Sequence, residues 1–218
     1  MSTPADVVAL IETAFARVEH PGDPFLVQSN EGCEPAEIAQ AFAGRHDWRS
    51  LDAAFLDLHY VALSFFSEGA FRFYLPAYLL ADLRRELKTA DPVFPLVYQL
   101  SEWSVPLEAG GERFEQRHGA GALLNPLRYG AMRNADYARY RLSVFAREEA
   151  GAIVPYLEWR AEIDDYDRPH IDAALAYWRD RAANAPTQEA IAAHLAERAR
   201  YLAALQRDRA GRRDSEPR

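Results

Sequence analysis

One short segment contains three side chains that could perform acid–base chemistry: Asp52, Asp57 and His59. A carboxylate and an imidazole within hydrogen-bond reach can move a proton to or from a substrate. Asp52 and His59 share a helix face at a spacing of seven residues, but two turns separate them by about 10.5 Å along the axis. A catalytic pair would therefore need a partner from another segment. We expect His59 to pack at a helix edge instead.

A second polar group lies in an acidic segment, and its members are Asp164, Asp165, Asp167, His170 and Asp172. Clustered carboxylates could bind a hard cation. The spacing does not match a calcium-binding EF-hand loop, which requires a glycine at its sixth position and a glutamate at its end. We expect an acidic connection that caps the following helix, and we predict no metal site.

The sequence lacks the local patterns of nucleophilic and nucleotide-dependent enzymes. It contains neither the Gly-x-Ser-x-Gly elbow of hydrolases nor a phosphate-binding loop that ends in Gly-Lys-Ser/Thr. Because Cys33 is the single cysteine, an intramolecular disulfide and a thiolate zinc site are both excluded. We expect no cofactor.

The strongest positive signal is a basic, tyrosine-rich stretch over residues 127–147. It contains five arginines and one acid, a local charge of +4 in a chain whose formal net charge is −8. Arginine and tyrosine are enriched in protein interfaces, because both combine a large contact area with directed donors. A loop that only pairs with the acidic body of its own domain is the simpler alternative. The predicted partner-binding residues are Arg128, Tyr129, Arg133, Tyr137, Arg139, Tyr140 and Arg141.

Helical periodicity predicts the elements that position these groups. Thr3 is a typical N-cap for the first helix, and further helices are expected near residues 34–42 and over 50–66. Ser67 is a typical N-cap for the strongest helix, in which Pro76 predicts a kink. Glu68 and Arg72 are four residues apart in that helix, so we expect a surface ion pair between them.

The C-terminal half is again helical. We predict a helix over 147–163 with a second kink at Pro155, another after the polar hinge at 164–169, and a last helix capped by Thr187. Five of the eleven glycines fall between residues 106 and 147, where the pattern predicts an irregular loop with a short strand near 140–145.

The predicted fold is all-α, a compact bundle of about seven helices with a long irregular middle loop over 106–147. We expect one helical domain over residues 1–206 and a frayed, charged tail over 207–218. At 218 residues, such a chain can bury a sizeable core in one domain.

Composition limits the classes of partner and the compartment. The acidic balance argues against nucleic acid as a partner, since its binding requires a basic footprint. The apolar stretches are far shorter than the roughly 20 residues that span a bilayer, and the N-terminus lacks the basic and apolar regions of a secretory signal. We expect a soluble, cytoplasmic protein without a membrane partner.

Several apolar motifs resemble a family of bacterial proteins with no known activity. The resemblance rests on Pro21-Gly22-Asp23, on Trp48, and on the serine-capped helix Ala70-Phe71-Arg72-Phe73-Tyr74-Leu75-Pro76-Ala77-Tyr78. It extends over roughly residues 5–182. The resemblance implies a shared fold, and it transfers no catalytic residue.

Two functions follow as hypotheses. The first is a non-catalytic interaction or regulatory module, whose Arg/Tyr stretch binds an acidic protein or another subunit of the same chain. The alternative is an enzyme with a pocket between the kinked helices, in which Arg72, His59 and Asp52 are the polar groups.

Overall fold

The computed structural model describes residues 3–29, 32–124 and 131–193. Helices dominate these residues, and a pair of antiparallel strands interrupts them. The helices are α1 (Pro4–Ala14), α2 (Cys33–Phe42), α3 (Ala53–Leu58), α4 (Ala62–Phe65), α5 (Glu68–Leu83), α6 (Phe94–Val97), α7 (Asn134–Leu142), α8 (Arg147–Ile163) and α9 (Arg168–Asn184), and the strands are β1 (Glu102–Ala109) and β2 (Glu112–Gly119). The fold is helix-rich as predicted, but it is not all-α.

Helix α1 begins at the predicted N-cap. The Asp6 amide donates to the Thr3 hydroxyl oxygen at 3.3 Å, and the Thr3 amide donates to the Asp6 carboxylate at 2.9 Å. This reciprocal capping box satisfies two amides that have no partner within the helix. The prediction for the start of the first helix is confirmed.

Helix α5 lies at the centre of the molecule. The Ser67 hydroxyl caps it, as predicted, by accepting from the Ala70 amide at 3.2 Å. Every residue from Ala70 to Leu83 is buried, which is typical of a helix surrounded by other elements. The helix continues through Pro76, the residue at which we predicted a bend.

The segment over 50–66 is not the continuous helical region that its periodicity suggested. The Phe55 amide donates to the Asp52 carboxylate at 2.8 Å, so α3 begins one residue later, at Ala53. The chain leaves the helix at His59 and turns before α4. The break allows both Leu56 of α3 and Leu63 of α4 to reach the core.

The prediction of a long irregular loop over 106–147 is wrong. Strands β1 and β2 form a hairpin in which Ala109 pairs with Glu112 and Glu102 pairs with Gly119. Gly110 and Gly111 make its two-residue turn at φ values of +63° and +83°, which the turn type of such hairpins requires. The expected short strand at 140–145 is also wrong, because these residues end α7 and follow it.

The C-terminal helices complete the core. Helix α8 has the predicted bounds, and it packs against α9 and α1, while α1 packs against α5. The indole of Trp178 donates to the Leu96 carbonyl at 2.9 Å, which fastens α9 to α6. A hydrophobic cluster extends from Val7 to Trp178 through these helices.

The end of the chain is described in part. Residues 188–193 are helical, and the Ala190 amide donates to the Thr187 hydroxyl at 3.3 Å, as predicted for that cap. The predicted tail over 207–218 lies outside the described residues. Within the described ranges, no helix is both long and apolar enough to cross a membrane.

Candidate functional site

Helix α7 displays part of the predicted Arg/Tyr surface. Arg133, Arg139 and Tyr140 are exposed, and Tyr140 is 65% accessible. The Tyr137 hydroxyl donates to the Gln28 side-chain oxygen at 2.7 Å. Two other predicted residues, at positions 128 and 129, lie outside the described residues.

Arg141 is not part of this open surface. Its side chain is 4% exposed, its guanidinium donates to the Leu63 carbonyl, and its central carbon lies 4.7 Å from the centre of the Phe71 ring. Burial lowers the pKa of this guanidinium from its ordinary value. Arg141 therefore fastens α7 to the helical body and is not available to a partner.

Arg72 is buried too, and the predicted surface pair with Glu68 is wrong. The Arg72 guanidinium donates to both carboxylate oxygens of Glu149, at 2.8 and 2.5 Å. The Glu149 carboxylate also accepts from the Ala146 amide at 3.0 Å and from the Gln188 side chain at 2.9 Å. The pair joins α5 to α8 inside the core.

Asp52, Asp57 and His59 have structural partners. Asp52 caps α3, while Asp57 accepts from the backbone amides of Lys88, Thr89 and Ala90 at 2.9 to 3.1 Å. The His59 ring packs 4.6 Å from Phe55, centre to centre, and burial followed by the nearby positive charge of Arg45 lowers its pKa.

In the described part of the chain, the polar groups of the enzyme hypothesis do not all line the cavity that lies nearest to Asp52. A cavity of about 300 Å³ lies beside the N-terminus of α3 and is lined by Asp52, Trp48 and Arg84 among others. Neither Arg72 nor His59 is among its lining residues. Among the described residues, Asp52 therefore lines this cavity without the other two polar groups of the hypothesis.

The acidic segment before α9 binds an internal arginine. The Arg160 guanidinium contacts Asp164 at 2.8 Å and Asp82 at 3.0 Å, with Asp167 at 3.8 Å. The Asp164 carboxylate also accepts from the amides of Tyr166 and Asp167. Three carboxylates thus surround one internal cation.

The other members of this segment are placed separately. His170 faces the Ser101 hydroxyl, with 2.9 Å between ring nitrogen and oxygen. Asp172 and Arg168 are both exposed, with 3.9 Å between their charged atoms, and Asp165 is exposed. The group spans the connection and the first turns of α9, and the carboxylates of Asp164, Asp167 and Asp172 have partners within the chain.

The hairpin presents two chemically different faces. In the strand register, Trp103 pairs with His118, Val105 with Gln116 and Leu107 with Phe114, so their side chains share one face. The other face is charged and includes the pair Glu108 and Arg113.

Most of this hairpin lies in solvent. Trp103 and His118 stack at 4.3 Å near the helical body and are half-buried. Further out, Leu107 is 44% and Phe114 is 49% exposed. The apolar face is therefore open to contact toward the tip.

Two histidines and an aspartate meet at a different place in the fold. His20 and Asp23 lie after α1, and His46 lies after α2. One ligand atom from each lies within 4.8 Å of the other two, and a ring nitrogen of His46 lies 3.1 Å from the Asp23 carboxylate. Sequence reasoning missed this cluster, because His46 is 23 residues from Asp23 and no helical spacing connects them.

Burial and neighbouring groups tune the ionisation of this cluster. Burial and the adjacent charge of His46 lower the pKa of His20. Hydrogen bonds from the Gly44 amide and from His46 hold the pKa of Asp23 below its ordinary value. At neutral pH, the cluster therefore contains a neutral His20 and an ionised Asp23.

Comparison with known proteins identifies the family of the chain. Residues 3–182 match a family described as a family of unknown function (DUF6714). The chain belongs to this family. No curated protein and no solved structure matches it. Membership in DUF6714 agrees with the resemblance in the sequence, and the family description assigns no activity.

Proposed function

We propose that this DUF6714 protein is a non-catalytic protein-interaction module that binds through the β1–β2 hairpin, and that its partner is a second copy of the chain. The observation that supports the proposal is the open apolar face at Leu107 and Phe114, beside a strand edge that pairs with no other strand in the described part of the chain. A two-stranded hairpin is at best marginally stable by itself in water. Pairing with a further strand would cover both features at once.

The strand edge suited to pairing is that of β2. In a hairpin with a two-residue turn, Ala109 and Glu112 are a hydrogen-bonded pair, so the amides of the next pair, Glu108 and Arg113, point outward. By the same alternation, the outward position at the middle of β1 is Pro106, which has no amide hydrogen. The β1 edge is therefore interrupted, whereas β2 keeps outward donors at Arg113 and Glu115.

The charge pattern of β2 favours a second copy. If two β2 strands pair antiparallel about a twofold axis at Phe114, Arg113 of each copy lies opposite Glu115 of the other. Opposite charges at directly opposed positions stabilise strand pairs, and like charges destabilise them. The same register brings the two Phe114 rings together at the axis, where they extend the apolar face across four strands.

The exposed residues of α7 and of its N-cap remain predicted contact residues. Arg133, Arg139 and Tyr140 belong to the stretch with a local charge of +4, while the rest of the chain has a charge of −12. Such a difference favours contact with an acidic surface, and a second copy offers one. Arg141 is excluded from this set by its burial.

Charge exchange in β2 tests the proposal. We expect the wild-type chain to sediment as a concentration-dependent dimer of twice 24.6 kDa. Arg113→Glu should give a monomer, because two glutamates then oppose each other on each side of the axis. The double variant Arg113→Glu/Glu115→Arg, which loses the same pairing with Glu108 inside the hairpin, should restore the dimer. The exposed substitution Arg17→Glu, which makes the same charge change on the segment after α1, is the matched control and should leave the dimer intact.

Two results would overturn the proposal. The first is a wild-type chain that remains a monomer throughout the concentration series. This holds even if the chain binds a strand from a different protein. The second is a dimer that Arg113→Glu leaves unchanged, which would place the interface elsewhere. Circular dichroism of each variant separates loss of the dimer from loss of the fold.

A further inference from the structure

The His20, Asp23 and His46 cluster contains the donor set of a transition-metal centre. Two imidazoles and one carboxylate suit zinc and related divalent ions, whereas magnesium and calcium prefer sites made of oxygen ligands. The side chains of His46 and Asp23 are 60% and 41% exposed, which leaves a path for an ion from solvent. His20 is half-buried and forms the inner wall of the cluster.

The hydrogen bonds of the Tyr74 hydroxyl determine the tautomer of His20. This hydroxyl has a single hydrogen, which it donates to the Arg45 carbonyl at 2.8 Å. The Nε2 atom of His20, at 3.0 Å from the same oxygen, must then be the donor in that contact. The lone pair of His20 is consequently on Nδ1, which accepts from the Gly22 amide at 3.1 Å.

This arrangement resembles the outer shell of protein metal sites. A histidine that binds a metal usually donates its other ring N–H to an oxygen, which fixes the ring and increases the basicity of the ligand nitrogen. The Tyr74 hydroxyl already provides that contact for His20. Asp23 is oriented in a similar way, because the Gly44 amide lies 3.2 Å from each of its two carboxylate oxygens.

We propose that His20 Nδ1, His46 Nε2 and one Asp23 carboxylate oxygen bind a divalent transition-metal ion of the zinc class. The proton between His46 Nε2 and Asp23 moves to His46 Nδ1 or to solvent, the ion takes its place, and it displaces the Gly22 amide from His20. Ligand atoms around tetrahedral zinc are about 3.3 Å apart, as follows from metal–ligand distances near 2.0 Å. The His46–Asp23 separation of 3.1 Å is already close to this value, whereas the other two separations, each within 4.8 Å, must shorten for the ion to bind.

Three protein ligands leave at least one coordination position for water or an exogenous ligand. Structural zinc sites are usually closed by four protein ligands, whereas sites that bind small molecules retain an open position. The exposure of His46 and Asp23 places the open position toward solvent. The site therefore belongs to the class that can bind an exogenous anion or a donor side chain from a partner.

Cobalt binding tests this site directly, since Co²⁺ replaces Zn²⁺ and reports tetrahedral coordination by its visible absorption. We expect the wild-type chain to bind one Co²⁺ per chain and to release it to Zn²⁺. His46→Ala should weaken binding by about 100-fold or more, beyond the 10–100-fold that follows loss of an outer-shell partner. Asp23→Asn should have a comparable effect, and Tyr74→Phe should fall within the smaller range.

The matched control is His118→Ala, which removes an imidazole from the hairpin and should leave Co²⁺ affinity unchanged. Thermal unfolding with and without Zn²⁺ provides a second readout, because an ion that binds only the folded state raises the melting temperature. That increase should disappear in His46→Ala, whose exposed position allows the variant to fold. The proposal is overturned if the wild type does not bind the ion, or if binding is the same in His46→Ala and Asp23→Asn.

Discussion

Glu149 illustrates how single residues hold this fold together. Its carboxylate is fully buried and accepts from Arg72 of α5, from the Ala146 amide and from Gln188. A buried charge that loses its partner is strongly destabilising, whereas replacement of the whole pair by apolar groups is often tolerated. The hydrogen bond from the Ala146 amide to Glu149 also helps α8 to begin without a capping side chain at Ala146.

Removal of one partner of the Arg72–Glu149 pair should therefore lower the free energy of unfolding more than removal of both. We expect Arg72→Met to lower the free energy of unfolding by about 3–5 kcal/mol, and Arg72→Met/Glu149→Met to recover part of the loss. The control is Glu158→Ala, which breaks an exposed pair with Arg179 and should cost less than about 1 kcal/mol. Urea unfolding measures all three, and a double variant less stable than Arg72→Met would contradict the prediction.

The ionisation of the Asp57 carboxyl makes the stability of the folded chain depend on pH. Burial raises its pKa, but the hydrogen bonds from Ala90, Thr89 and Lys88 prevail and leave the pKa below the ordinary value of 3.8. A carboxyl group with a lowered pKa stabilises the fold above its unfolded pKa, and this contribution is lost as the pH falls through its folded pKa.

We therefore expect Asp57→Asn to be less stable than the wild type at pH 7 and to approach it as the pH falls below 3.8. The reason is that only the wild type has an ionised Asp57 to lose. Thermal unfolding over a pH series measures the difference, with Glu37→Gln as an exposed control on α2. A difference in stability between Asp57→Asn and the wild type that stays constant from pH 7 to the lowest pH measured would show that ionised Asp57 does not stabilise the fold.

The helices and caps that depend on neighbouring residues could be predicted from the sequence, whereas the elements that depend on distant residues could not. The bounds of α8 and the caps of α1 and α5 depend on nearby residues, and they were predicted correctly. The hairpin was missed because its alternation begins at Trp103, outside the glycine-rich window, and its paired glycines were interpreted as a loop. Helix α7 was missed because its buried face contains Arg141, whose acceptor is the distant Leu63 carbonyl.

Gly119, at the base of the hairpin, should tolerate no side chain. It has a φ of +73°, and a Cβ atom there would lie 2.1 Å from the Ser101 carbonyl oxygen. Gly111 in the turn has a φ of +83°, and no atom of the described residues lies within 4 Å of such a Cβ. Gly111→Ala should therefore lower the free energy of unfolding by about 1–2 kcal/mol, the strain of a left-handed backbone conformation in a residue with a Cβ.

We expect Gly119→Ala to cost clearly more than Gly111→Ala, because backbone atoms must also move. Urea unfolding gives the loss in the free energy of unfolding for each variant. Equal losses in the two variants would show that the close approach at Gly119 does not constrain the hairpin.

At the scale of the whole molecule, the family and the helix-rich body could be predicted from local patterns, but the candidate sites could not. The His20, Asp23 and His46 cluster forms only when two loops meet. Exposure of Arg139 and burial of Arg141, two residues apart, depend on how α7 lies on α4 and α5. Apolar motifs identify a fold, whereas a site depends on long-range contacts.

In the proposed dimer, the open β2 edge of the hairpin pairs with a second copy of the chain. Residue-level hydrogen exchange of the wild-type chain at low and high protein concentration tests it most directly. We predict that the outward amides of Arg113 and Glu115 on β2 become protected as concentration rises, while those of Ser104 and Glu108 on β1 do not. Exchange at Arg113 and Glu115 that stays fast at every concentration would contradict the pairing of β2 with a second copy.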